Sequence, residues 1–100
     1  MREITCTEVL NADAAAQVID VREANELHTG TVAAAAHLPM SEITARLAEL
    51  DPSRRVIAVC RSGARSARVA EALTAAGFEC DTMGGGMIEW SAQGLPVSLP

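Results

Sequence analysis

Two short apolar runs organise the pattern of hydrophobic and polar positions along the chain. Gln17-Val18-Ile19-Asp20-Val21 is a β-branched stretch entered from polar, alanine-rich sequence, and Val56-Ile57-Ala58-Val59 is apolar without interruption. Runs of this length and composition predict buried strands. Continuous rather than alternating apolarity requires cover on both faces, so the expected sheet is parallel and flanked by helices.

Between and after these runs the period changes. Met40, Ile43, Leu47 and Leu50 recur at helical spacing, with Ser41 placed as an N-cap and Asp51-Pro52 as the stop. A second helix is expected from about Ser62 or Gly63 to Ala76. Val69, Ala70 and Leu73 form its apolar stripe, Arg68 and Glu71 face out, and Gly77 takes the C′ position. Phe78 to Met83 reads as a further strand, Gly84-Gly85-Gly86 as a turn, and the residues around Ile88 and Trp90 as a short segment. Gly94, Pro96 and Pro100 end the chain irregularly. Strands alternating with helices predict an α/β fold with right-handed crossovers. At 100 residues, one domain over residues 1–100 is expected.

Composition narrows the picture. Alanine carries much of the 49% hydrophobic content, with one Phe, one Trp and no Tyr, so each large side chain has a packing role. No apolar run approaches the roughly 20 residues needed to span a bilayer, and Arg2, Glu3 and Glu8 interrupt what would be a signal-peptide core. A cytoplasmic protein is the expectation. Cys6, Cys60 and Cys80 are odd in number and widely spaced, which fits neither a disulfide framework nor a metal site. The net charge of −5 argues against nucleic-acid binding. Yet Arg61, Arg65 and Arg68 stand without an acid between Cys60 and Ala70, a cationic island that attracts small anions.

The chemistry is concentrated in Cys60-Arg61-Ser62-Gly63-Ala64-Arg65-Ser66, between a predicted strand and a predicted helix. Ligands of α/β sheets bind beyond the carboxyl ends of strands. A tight loop entering a helix aims backbone N–H groups at one point, and the helix dipole adds partial positive charge there. A free thiol titrates near 8.5, so Cys60 needs such help to act as a thiolate. Arg61, Arg65 and the loop amides are expected to supply it, and to hold a persulfide afterwards. No metal or organic cofactor is called for.

Three motifs in order carry a resemblance. They are the Cys60–Ser66 loop, Val18-Ile19-Asp20-Val21-Arg22-Glu23 with Glu26, and Gly84-Gly85-Gly86-Met87-Ile88-Glu89-Trp90 with Gly94-Leu95-Pro96-Val97. Over nearly its full length the chain resembles the rhodanese-like superfamily. The resemblance implies a three-layer sandwich, a five-stranded parallel sheet between helices, and a sulfurtransferase. Cys60 would be the nucleophile and persulfide carrier, and the amides of Arg61 to Ser66 its cradle. Arg65 would brace the loop and Arg61 face the incoming anion. The implied partners are a small anionic sulfur donor such as thiosulfate and an acceptor, either a thiol, cyanide or an acceptor protein, met by a monomer.

One count separates two chemistries within that resemblance. Relatives acting on phosphate or arsenate have five residues between Cys and Arg, whereas Arg61, Ser62, Gly63 and Ala64 are the only four here. The shorter loop suits one sulfur atom, which favours sulfurtransferase over phosphatase or arsenate reductase. A redox-sensing or docking module with little turnover is the other alternative, since low-pKa cysteines also oxidise readily. The chain departs from the family where Gly-His-Ile-x-Gly-Ala is usual: it reads Gly30-Thr31-Val32-Ala33-Ala34-Ala35, losing the His and the second Gly.

The remaining candidates take structural readings. Cys6 and Cys80 lack a basic loop. Asp20 is expected to brace neighbouring loops, and Arg22 to pair with Glu26 at helical spacing. His28 and His37 are surface or turn residues, Arg54-Arg55 a solvated turn, and the glycine run a close-approach turn rather than a nucleotide-binding loop.

Overall fold

The computed structural model describes residues 1–99; Pro100 lies outside the described residues. Five parallel strands form one sheet in the order β1-β5-β4-β2-β3: β1 Glu3–Ile4, β2 Gln17–Asp20, β3 Ala36–His37, β4 Val56–Val59 and β5 Cys80–Met83. The helices are α1 Cys6–Leu10, α2 Ala64–Ala75 and α3 Gly86–Ala92, with two 3₁₀ helices at Ala24–Thr29 and Thr44–Glu49. None is long and apolar enough to cross a membrane.

The predicted double cover is present. Alternation along β4 sends Val56, Ala58 and Cys60 to one face, where Val69, Ala70 and Leu73 of α2 and Leu50 meet them. Ile57 and Val59 go to the other, against Val9 of α1 and Met87 and Trp90 of α3. This is the cover on both faces expected from continuous apolarity, and the three-layer sandwich that the resemblance implied. Trp90, the single tryptophan, is fully buried and donates its indole N–H to Pro96 O at 3.0 Å, tying the last segment to α3.

The end of α2 follows its sequence signal. Gly77 takes a left-handed φ of 97°, its N–H reaches Thr74 O, and Phe78 N–H reaches Leu73 O. These two bonds make a Schellman motif. They also hold Phe78 at the helix end, so β5 begins at Cys80 rather than at the expected Phe78, with Glu79 O accepting the Val56 N–H at 2.8 Å.

Other expectations change. The segment from Met40 to Leu50 is not an amphipathic α-helix; only Thr44–Glu49 is helical, as 3₁₀, and it starts after Ile43. Ser41 caps nothing and donates to Glu23 Oε1 at 2.9 Å. Met40, Ile43, Leu47 and Leu50 still pack on the α2-side core. Periodicity thus identified the buried face and not the type of helix that presents it. Arg54 is exposed as expected and donates to Ala15 O, but Arg55 forms an ion pair at 2.9 Å with the buried Asp81. β1, α1 and β3 lay outside the sequence reading. The capping box of Thr5 and Glu8, with both reciprocal bonds formed, is the signal that marked α1.

Candidate active site

Because every strand is parallel, β2, β4 and β5 end at the same edge of the sheet, and Cys60 is the first residue beyond central β4. The loop then turns through Gly63, whose φ of 99° is left-handed, into α2. Two amides point at the sulfur: Gly63 N–H at 3.1 Å and Ser66 N–H at 3.4 Å.

The glycine run fixes that arrangement from behind. Met87 N–H donates to Cys60 O at 2.9 Å and Ile88 N–H to Arg61 O at 3.0 Å. In a trans peptide the C=O and the next N–H point in opposite directions. Anchoring the Arg61 carbonyl on α3 therefore turns the Ser62 amide to the other side, and that amide is among those acting on the sulfur. The approach is so close that a Cβ on Gly86 would sit 2.4 Å from Arg61 O and 2.6 Å from Cys60 O. The close-approach reading of the glycines holds.

Cys60 exposes none of its surface. Burial pushes its thiol up, but the Ser66 side chain and the amides of Ser66, Gly63 and Ser62 more than offset this, leaving its pKa below the ordinary thiol value. Of the two arginines expected to help, Arg65 does interact with the Cys60 charge, but its main partner is a carboxylate. Arg65 places Nη1 2.6 Å and Nη2 2.7 Å from the Glu26 carboxylate, a fork-to-fork pair linking α2 to the first 3₁₀ helix. That pair holds the Glu26 carboxyl down to about 2. Arg61 is exposed and, among the described residues, makes no ion pair.

Glu26 thus belongs to Arg65 and not to Arg22, contrary to the sequence expectation. The residues after Arg22 do not form an α-helix, and Arg22 folds back on Asp20, with Nη2 2.8 Å from Oδ2 and Nε 3.1 Å from both oxygens. Its remaining donors reach the carbonyls of Glu26 at 3.0 Å and Gly30 at 2.9 Å. Asp20 also accepts from Arg22 N–H and, at 2.6 Å, from the Thr31 hydroxyl. Arg22 and Asp20 are both buried, and every oxygen and nitrogen of the pair has a partner, as a buried charge pair requires.

Beside the loop lies a cleft of about 550 Å³, walled by Asn25, Glu26, His28, Arg61, Met87 and Ile88. His28 is exposed, whereas His37 is half-buried with Nε2 2.7 Å from Arg22 O. Cys6 and Cys80 are buried free thiols: Cys80 opens β5 at the opposite edge, whereas Cys6 lies behind the glycine run, its sulfur 3.8 Å from Gly86 O. Burial raises both, Cys80 to about 12, in keeping with structural roles. Thr82 and Ser66 were not singled out in the sequence as partners, yet their hydroxyl oxygens are 2.7 Å apart beneath the loop.

Comparison with known proteins agrees with this geometry. The chain is 35% identical over 89 residues to YtwF of Bacillus subtilis, whose name carries a provisional sulfurtransferase assignment, covering 89% of this chain and 86% of that one. It is 36% identical over 84 residues to a protein named sulfurtransferase from Allochromatium vinosum, covering 83% and 78%. A rhodanese-related protein from Thermoplasma volcanium superposes with a TM-score of 0.94 at 31% identity over 100% of both chains. The model of the rhodanese-like domain matches residues 5–93, and the chain belongs to that family.

Proposed function

We propose that the chain is a sulfurtransferase that carries sulfane sulfur as a persulfide on Cys60. The observation that carries this reading is the Cys60 sulfur held at the end of central β4 under converging N–H donors, with its pKa lowered. The similarity to proteins named as sulfurtransferases supports the same class.

The chemistry proceeds in two displacements. The Cys60 thiolate attacks the outer sulfur of a donor such as thiosulfate; the S–S bond of the donor breaks and sulfite leaves with the electron pair. A second nucleophile, a thiolate or cyanide, then attacks the outer persulfide sulfur and the Cys60 thiolate leaves. Both resting and loaded states carry one negative charge, so the same cradle serves each. Ala64 and Arg65 lie in the first turn of α2, where N–H groups have no helical partner, and these donors serve the added sulfur. Arg61, on the wall of the cleft, meets the anionic donor. The complete concealment of Cys60 suits transfer of a single atom and requires the loop mouth to open slightly for the donor.

The test is intact-mass spectrometry of the reduced protein before and after thiosulfate, beside Cys60→Ser. The expected result is a gain of about one sulfur, about 32 Da, on the wild type alone and reversed by cyanide. Loading of Cys60→Ser, or no loading of a folded wild type with any sulfane donor, overturns the reading.

A further inference from the structure

Strand β5 contributes a buried hydroxyl where its neighbours on the same face are apolar. Cys80 joins the α2-side core, and Thr82, two positions on, points the same way. Thr82 is 1% exposed and fixed by ladders on both sides, opposite Ala58 of β4 and Glu3 of β1. Its Oγ1 lies 2.7 Å from Ser66 Oγ, and among the described residues this is its one side-chain partner.

That singularity sets the direction of the bond. A hydroxyl has one proton to donate. If Ser66 donated to Thr82, the Thr82 proton would be buried without an acceptor, which costs the full desolvation of that group. Thr82 therefore donates to Ser66, leaving the Ser66 proton free. Its alternatives are Gly63 O, which it reaches at a long 3.2 Å, and the Cys60 sulfur, to which the N–H of the same residue already donates at 3.4 Å. Once the sulfur is anionic it is the better acceptor.

We infer that Thr82 is a positioning residue that acts through Ser66, directing the Ser66 hydroxyl onto the Cys60 thiolate. The lowering of Cys60 by the Ser66 side chain is consistent with this geometry. Among the described charged groups around the relay, Arg65 adds a Coulombic attraction to the Cys60 charge, and none donates a hydrogen bond to the sulfur. Arg65 is held by Glu26 from the first 3₁₀ helix, Arg61 is exposed to the cleft, and Asp81 is taken by Arg2 and Arg55. Cys80, on the face of Thr82, has its thiol raised and stays neutral.

The inference rests on Cys60 working as a thiolate, whatever the sulfur donor. The experiment follows the pH dependence of iodoacetamide alkylation at Cys60, resolved by peptide mass spectrometry, in wild type, Thr82→Val, Thr82→Ser, Ser66→Ala and Ser66→Ala/Thr82→Val. Thr82→Val keeps shape and loses the hydroxyl. Its midpoint is expected to move up, slowing alkylation near neutral pH by about three- to tenfold, as for one ordinary hydrogen bond lost indirectly. Thr82→Ser restores the wild-type profile, and Thr82→Val adds no shift to Ser66→Ala. An unchanged midpoint in Thr82→Val, or an additive shift in the double variant, overturns the inference. If Thr82→Val does not fold, the Thr82→Ala and Ser66→Ala/Thr82→Ala pair puts the same question. A wild-type midpoint at the free-thiol value would instead overturn the thiolate reading beneath it.

Discussion

At the scale of the residue, Ala34 shows what the departure in the Gly30–Pro39 segment costs. It stands where the family pattern has its second glycine, and it has a φ of 64°. Left-handed backbone costs a residue with a Cβ about 1–2 kcal/mol, partly balanced by the lower unfolded-state entropy of alanine compared with glycine. Ala34→Gly is expected to stabilise the fold by about 0.5–1 kcal/mol, a rise of a few degrees in Tm measured by calorimetry. A fall in Tm would mean that the turn is not strained. Thr31, at the position of the lost histidine, remains tied to the site through its bond to Asp20. The altered sequence therefore changes the turn's strain and keeps its anchor.

At the scale of the element, the loop after β4 owes its shape to α3 as much as to its own residues. Its carbonyls are held by α3 amides, and only a residue without a side chain fits at Gly86, whose φ of 58° is also left-handed. Gly86→Ala is expected to lose about 2–4 kcal/mol in denaturant unfolding and to slow Cys60 alkylation, because the loop must back away and its amides lose their aim. Wild-type stability together with wild-type alkylation would refute this account. By the same reasoning the Schellman motif at Gly77 shows how a helix end propagates: it sets where α2 stops and hence where β5 can begin.

At the scale of the whole molecule, the pair between Arg65 and Glu26 joins segments 39 residues apart, the Cys60–Ser66 loop and the wall of the cleft. Its pH dependence has a definite sign. The folded-state pKa of Glu26 is held at about 2, below the ordinary glutamate value near 4.3, so the pair's stabilisation is fully present above that ordinary value. It is lost as pH falls toward 2. Glu26→Gln is expected to cost about 1 kcal/mol at pH 7, with both side chains partly exposed to solvent. Melting temperatures of the variant and wild type should converge as the pH is lowered toward 2. A gap independent of pH would assign the loss to packing rather than charge.

Much of this was legible in the sequence. The apolar runs at Gln17–Val21 and Val56–Val59, the end signal at Gly77 and the Cys60–Ser66 loop depend on local periodicity and turn chemistry, so they determined the α/β class, the sheet's double cover and the position of the candidate nucleophile. β1 and β3 were not legible, since two-residue edge strands carry too few positions to show a period. Only the tertiary structure decided which charge meets which. Spacing offered Arg22 and Glu26 to each other, yet Asp20 captured Arg22 in the interior and Glu26 went to Arg65 on another element. The same holds for the thiol: the sequence marked Cys60, but its lowered pKa comes from amides aimed by α3 and from the Ser66 hydroxyl, which meets Thr82 across the core. Hydrogen-bond direction and ion-pair choice depend on distances of an ångström or less between segments remote in sequence, and those distances exist only once the core has packed.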